Sequence, residues 1–397
     1  MKQAIAVLNA GSSSLKFSVY TIEEQRELKL MVRGLIEGIG SSPHFKAKDA
    51  EGKTLIDTKP PAATDGKFGQ HEAFAFLLGW LLEHYEGVVS VIGVGHRVVH
   101  GGADFIEPTR VDSDVLAKLD KLIPLVPLHQ PSNLAAIKAV MQLRPELAQV
   151  ACFDTAFHQG RARVTQRFGL PDAMFQDGLR RWGFHGLSYE SIAGKFRRIA
   201  PAEISNGRVI AAHLGSGASL CAMHNGRCVD TTMSFSVLDG VPMGTRCGGL
   251  DPGIILYLLR EGWDAGKIED LLYKKSGLLG ISGLSNDVRD LLASTDPRAA
   301  EALDYFVYRI AREIGSLTVA LGGLDALIFT AGVGENSPVI RQRICALLGC
   351  LNIAVDDEAN RKNSQRISTK GRTPSVWAIP TDEEGVIASH TLAVVQR

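Results

Sequence analysis

The sequence predicts an α/β protein built from two similar halves. Three observations carry that expectation. Strand-like and helix-like periodicities alternate along the chain, a Gly/Ser turn between two strands recurs half a chain apart, and 397 residues suffice for two or three cores. The recurring turn is Gly11-Ser12-Ser13-Ser14-Leu15 and, 204 residues later, Gly215-Ser216-Gly217-Ala218-Ser219-Leu220. Gly/Ser turns are common, but recurrence at the first hairpin of each half favours a duplicated α/β domain over coincidence. A cleft between two such halves is a natural ligand site.

Element by element, residues 4–8 form a short apolar run and 15–20 alternate with period two, a hairpin-like start. Residues 71–84 are apolar at helical spacing, and 88–94 read as a buried strand. Helices are expected over 113–123 and 131–143, the second with Pro131 in its first turn, then a strand over 149–153. In the second half 208–212 and 218–223 read as strands, followed by Asn225-Gly226, the strongest short hairpin signal. Helices are expected near 252–261, 286–293 and 297–321, and a strand over 325–330. Ser337-Pro338 starts a helix running to Leu348. A strand at 376–379 and a helix at 384–394 complete the pattern. The expected domains are 1–150 completed by 384–397, and 151–383.

Composition narrows the function. Lys and Arg number 43, as do Asp and Glu, so the formal net charge is zero and no global attraction to nucleic acid or an anionic membrane is expected. Six scattered cysteines without a C-x-x-C pair argue against a zinc module or a disulfide scaffold and point to a reducing cytoplasm. No signal peptide or transmembrane span is expected. Glycine, 41 residues, exceeds the usual ~7% and should mark turns or close backbone approaches.

Neither a Walker P-loop nor a G-x-G-x-x-G fingerprint occurs. Asn9-Ala10-Gly11-Ser12-Ser13-Ser14-Leu15-Lys16 can instead bring backbone N–H groups and hydroxyls to anionic oxygens, with Asn9 and Lys16 adding an amide and a charge. From the residues alone, a polar hairpin and a phosphate cradle fit equally well. Arg97 and Arg246 could clamp a carboxylate and a transferring phosphoryl group, though surface ion pairs are what most arginines make. Asp154, at a strand end, suits either a turn cap or a Mg²⁺ ligand. His185, between Gly183 and Gly186, could donate to a developing charge, or be structural, as could His129.

These strings together resemble the acetate kinases. The resemblance rests on 7–17, His96-Arg97-Val98-Val99-His100-Gly101-Gly102, Phe153-Asp154-Thr155-Ala156-Phe157-His158, Gly183-Phe184-His185-Gly186, Met243-Gly244-Thr245-Arg246 and Gly332-Val333-Gly334-Glu335-Asn336, in order and spacing. It implies two duplicated actin-like ATPase (ribonuclease H-like) domains with an interdomain cleft, and reversible ATP-dependent phosphorylation of a short carboxylate with Mg²⁺, Mn²⁺ being able to substitute. It places Asn9, Arg97, Asp154, His129, His185 and Arg246 in catalysis, and Asn9, Asp154 and Glu383 at the metal. Arg97 with Val99, Leu128, Phe184 and Pro242 would receive the acyl group. Lys16, Ser12, Ser14, His213, Gly215, Ser216, Gly217, Asp287, Val288, Arg289, Gly332, Val333, Gly334, Asn336 and Arg341 would hold the nucleotide. A small apolar pocket implies acetate as the preferred substrate and propionate as a weaker one, since one methylene discriminates by only ~1–3 kcal/mol. A homodimer is the family's usual state.

The chain departs from the family pattern at Ser216, where Asn is usual, at Leu187 and Tyr189 for Thr and His, at Cys247-Gly248-Gly249 for Ser-Gly-Asp, and at Asp382 for Asn. Ser216 shortens a donor expected near the ATP phosphates. A close alternative is a short-chain carboxylate kinase that prefers propionate; the alternative from another class is a nucleotide-switched, actin-like or chaperone-like binding protein on the same fold, which fold alone does not exclude.

Overall fold

The computed structural model describes residues 1–11, 13–60 and 68–397. Ser12, expected at the phosphates, lies outside the described residues. The chain divides into two compact units, Met1–Ala156 with Asp382–Arg397, and Phe157–Thr381. The first division falls a few residues beyond 150 because the strand Ala148–Phe153 pairs along its whole length with Gly93–Val98 of the first unit.

The first unit is built on an eight-stranded sheet. Its strands are β1 Lys2–Ala10, β2 Ser14–Ile22, β3 Leu28–Glu37, β4 His44–Asp49, β5 Thr54–Thr58, β6 Val89–Val98, β7 Thr109–Arg110 and β8 Ala148–Phe153, in the order β5-β4-β3-β2-β1-β6-β8-β7. β1 to β5 form an antiparallel meander, whereas β1, β6 and β8 run parallel. The expected hairpin at the N-terminus is present. The meander over 28–58 is not among the expected elements, because strands such as Leu28–Glu37 interleave charged residues with apolar ones and show no continuous apolar run.

One face of this sheet is covered by the helix Gln70–Tyr85, whose Phe74, Leu77 and Trp80 pack on Phe17 and Phe45. Trp80 meets Phe45 edge-on with ring centroids 5.2 Å apart. The closing helix Glu383–Val395 lies directly on β6. A Cβ on Gly95 would sit 2.2 Å from Thr391 Oγ1, so glycine permits the approach.

The second unit has a five-stranded sheet of β9 Arg208–Leu214, β10 Ala218–His224, β11 Arg227–Thr231, β12 Ala326–Thr330 and β13 Ser375–Ala378, ordered β11-β10-β9-β12-β13. Three antiparallel strands are followed by two parallel to β9. The inner strands β3-β2-β1-β6-β8 of the first unit repeat that order and those directions. The Gly/Ser turns that echo in sequence occupy equivalent places, between β1 and β2 and between β9 and β10.

The 25-residue helix Pro297–Leu321 is capped by Asp296 and ends at Gly322 with φ +71°. It buries Phe306, Ile310, Ile314 and Leu317, so it is a core helix. The helix Gly186–Ile199 is not among the expected elements either. Its short segment is bounded by glycine and carries polar residues on its buried face, including Ser188 and Ser191.

Candidate active site

In the first unit, the candidate side chains gather at the C-terminal ends of the parallel strands, the edge at which open α/β sheets hold ligands. β6 extends to Val98, so Arg97 lies within the strand rather than after it. Its Nε donates to both Asp154 oxygens at 3.1 Å, and its Nη2 to Asp154 Oδ2 at 2.7 Å. Nη1 lies 3.7 Å from Glu383 Oε2. Burial works against the guanidinium charge, but Asp154 and Glu383 more than offset it and raise the Arg97 pKa. Asp154 follows β8 directly, and its N–H donates to Val98 O, which fixes the carboxylate beside Arg97.

The segment after β6 is tied down by the helix Gln130–Leu143. Asn133 accepts from Val99 N at 3.0 Å and donates to Ala10 O at 2.7 Å, so one amide joins the ends of β1 and β6. Gln130 accepts from His100 N and donates to His100 O. His129 is the N-cap residue of this helix and is half-buried, as is Leu128 before it; Val99 is buried. Asn9, half-buried, ends the same edge through β1. Ser14 opens β2 across the turn from Gly11, whose N–H donates to Ser14 O. Lys16 is exposed, and its charge acts on Glu384, whose carboxyl is pushed up by burial first and by Glu383 second.

In the second unit, a separate group forms around the β9–β10 turn. His185 has φ +58° and caps the helix Gly186–Ile199. That left-handed backbone is strained for a non-glycine residue, a cost on the order of 1 kcal/mol. His185 Nδ1 lies 2.8 Å from Ser219 Oγ, and Ser219 Oγ 2.5 Å from Tyr189 OH. The ring stacks on His213 with centroids 4.2 Å apart, and His213 Nδ1 meets Ser188 Oγ at 2.8 Å. The other His185 nitrogen faces the turn, for a Cβ on Gly217 would lie 3.4 Å from Nε2 and 3.7 Å from Arg246 Nη1. Two donors thus converge on one stretch of glycine backbone. Arg246 Nη1 is itself held by Val237 O at 3.2 Å.

Beside this turn opens a pocket of about 670 Å³. Gly215 and Ser216 line it, with Asp287, Val288, Arg289, Gly332, Val333 and Asn336. Its size suits a nucleotide-scale ligand. Asp287 caps the helix Val288–Ala293 and pairs with the exposed Arg289 at 2.6 Å, whose hydrogen bonds hold the Asp287 carboxyl below its ordinary range.

Four expected nucleotide residues of this unit, His213, Gly217, Gly334 and Arg341, are not in the pocket lining, and the last two are taken up by packing and hydrogen bonding. The segment Gly332–Asn336 is no loop but part of the short helix Ala331–Asn336. A Cβ on Gly334 would lie 3.3 Å from the Phe329 carbonyl carbon, so this glycine serves packing on β12. Arg341 is fully buried. It donates to Gly334 O, Glu335 O, Asn360 O and the Asn360 and Asn363 side chains at 2.7–2.9 Å, and burial pushes its pKa down to about 10. Phe184, expected at the acyl group, is also fully buried, and Pro242 is buried beside Val241. Residues that sequence reasoning missed include Asn286, Phe306 and Pro338 in the pocket wall, and Ser219 behind His185. Only Asn286 carried a signal, as the neighbour of Asp287.

A sheet order repeated in two units, charged groups at strand ends and a nucleotide-sized pocket beside a glycine turn fit a phosphotransferase of the actin-like ATPase fold. Residues 4–389 match the model of the acetokinase family. An acetate kinase of Rhodopseudomonas palustris (strain TIE-1) is 50% identical over 395 residues, covering 98% of each chain. One of Nitrobacter hamburgensis is 47% identical over 99% of this chain and 96% of its own. Among solved structures, a propionate kinase from Francisella tularensis superposes with a TM-score of 0.90 at 34% identity, covering 98% and 99% of the two chains. The Porphyromonas gingivalis acetate kinase gives 0.85 at 34% identity, covering 99% and 100%. The chain belongs to the acetokinase family.

Proposed function

We propose that this protein is an acetate kinase, transferring the γ-phosphoryl group of ATP reversibly to acetate to give acetyl phosphate and ADP. The observation that carries the reading is the 50% identity to acetate kinases across essentially the whole chain. Arg97 beside Asp154 and Glu383 in one unit, and Arg246 beside His185 in the other, fit it better than they fit a nucleotide-switched binding protein, which needs no clamp for a second anion.

Acetate is ionised near pH 7, so no base is required. A carboxylate oxygen bonds to the γ-phosphorus as the bond to the ADP oxygen breaks, directly and in line. Arg97, held in place by Asp154, orients the acetate carboxylate, with Val99, Leu128, Phe184 and Pro242 shaping the space around its methyl group. Arg246 and His185 Nε2 neutralise charge building on the phosphoryl oxygens, and His129 assists on the acceptor side. This role requires Ser219 to donate to His185 Nδ1 and to accept from Tyr189 OH, so that the imidazole proton stays on Nε2. Gly215, Ser216, Gly217, Gly332, Val333, Asn336, Asp287, Val288 and Arg289 hold ATP, and Lys16, Ser14 and His213 support its phosphates; Gly334 and Arg341 support that site from behind.

Asp154, Glu383 and Asn9 offer only oxygen donors, a set that suits the hard Mg²⁺ ion, with Mn²⁺ able to stand in. When bound, the ion would neutralise charge on the phosphate oxygens. The six free cysteines fit a cytoplasmic setting. Exposed Ile254, Leu256, Tyr257 and Leu259 on the helix Pro252–Arg260 support a homodimer.

Hydroxylamine trapping of acyl phosphate with ATP, Mg²⁺ and acetate, propionate or butyrate tests the assignment. Product is expected from acetate, with less from propionate. No product from any of the three overturns it.

A further inference from the structure

The second unit buries a group of soft donors that phosphoryl transfer does not use. His158 Nδ1 lies 3.1 Å from Cys228 Sγ, which lies 3.5 Å from Cys221 Sγ, and the three ligand atoms are all within 4.8 Å of one another. They come from three elements, the short turn Ala156–His158, β10 and β11. Cys221 pairs with Thr231 and Cys228 with Met223, so the two thiols meet diagonally across neighbouring strands. Relative exposures of 1%, 0% and 8% place all three out of solvent.

Buried cysteines are commonly plain packing groups, but three features here go beyond packing. The second imidazole nitrogen, His158 Nε2, donates to Phe184 O at 2.8 Å, which leaves the Nδ1 lone pair directed at the sulfurs. That is how ligating histidines are oriented. The ring is also fixed in place, since a Cβ on Gly183 would lie 2.5 Å from His158 Cγ. Finally, the buried Arg161 donates to His158 O and to the carbonyls of Arg181 and Trp182, placing a positive charge whose field reaches both sulfurs.

We propose that His158, Cys221 and Cys228 form a three-donor site for a soft, closed-shell metal cation, with Cu(I) as the best match. Two thiolates and one imidazole are soft or borderline donors, which select against Mg²⁺. Structural Zn²⁺ sites are almost always four-coordinate, and among the described residues no fourth His, Cys, Asp or Glu joins this group. Cu(I) accepts three donors. Binding forms two Cu–S bonds and one Cu–N bond, releases two thiol protons to solvent and changes no oxidation state. The resulting centre carries one net negative charge and faces Arg161, whose Nη1 also lies 3.7 Å from Asp230 Oδ1. Because His158 also holds the carbonyl immediately before His185, the site is mechanically joined to the phosphoryl-transfer group.

The test compares the reduced full chain with the Cys221→Ser/Cys228→Ser double variant, under anaerobic competition for Cu(I) against a chelator. Copper is supplied both to the folded chain and during refolding, since entry to a buried site can require opening. The wild-type chain is expected to retain one more equivalent than the variant, with binding tighter by more than the roughly 100-fold that loss of an outer-shell partner alone can cost. X-ray absorption of the wild-type complex, which does not depend on how the variant folds, is expected to show two sulfurs and one nitrogen. Equal retention by both chains, a shell without nitrogen, or a disulfide in place of bound copper overturns the site. Tighter, four-coordinate binding of Zn²⁺ overturns the Cu(I) assignment.

Discussion

Arg97 and Arg341, both expected at the bound substrates, show how differently two arginines can be used. Arg97 faces two carboxylates at a strand end, whereas Arg341 is spent on carbonyls and amides inside the second unit. Arg97→Ala and Arg246→Ala are each expected to lower kcat by roughly 10³-fold or more while circular dichroism stays native, measured by hydroxamate formation. Near-normal turnover in either would remove it from the catalytic set. Arg341→Met should act on stability instead, by roughly 3 kcal/mol in urea unfolding, because it leaves buried acceptors unsatisfied. The sequence names an arginine, but only the surroundings say whether its donors are already used.

The element that best joins fold to site is the short helix Ala331–Asn336. Glu335 Oε1 accepts from Ala331 N at 2.8 Å and from Thr381 N at 3.0 Å, closing the helix start and holding the segment that leads out of β13. Glu335→Ala should cost about 1–2 kcal/mol of stability, the scale of a lost cap, and should raise the KM for ATP more than it lowers kcat. Denaturant midpoints and initial-rate kinetics read the two effects separately, and an unchanged KM would sever the helix from nucleotide binding. Helix starts with Asp or Ser before Pro, at 296–297 and 337–338, were legible because cap chemistry is local. The meander β3–β5 was not, because its strands gain their order from neighbours rather than from their own apolar pattern.

At the scale of the whole molecule, buried histidines set a pH limit. Burial pushes the imidazoles of His96 and His100 down to about 4. In the unfolded chain histidine titrates near ~6.5, so below that pH the unfolded state binds more protons than the folded state. Their contribution to stability is complete above about pH 6.5 and is lost as the pH falls toward about 4. The unfolding free energy should therefore drop by a few kcal/mol across that window, and less steeply in His96→Gln. An equal slope in the variant would exclude His96 as a source. The exposed apolar face of the helix Pro252–Arg260 makes a second prediction. Leu256→Glu with Tyr257→Glu should convert a dimer to a monomer in light scattering, and a wild-type chain that is already monomeric would remove the homodimer.

The sequence by itself determined the duplicated α/β plan and the candidate residues, because Gly/Ser turns, strand ends and helix caps are encoded within a few consecutive positions. Tertiary structure alone decided which candidates meet. It joined Arg97, Asp154 and Glu383 from positions far apart in the chain, set His185 and Arg246 over Gly217, and turned Gly334 and Arg341 inward. The physical reason is that a side chain's role depends on which donors and charges surround it, and those neighbours are supplied by other strands and helices once they pack.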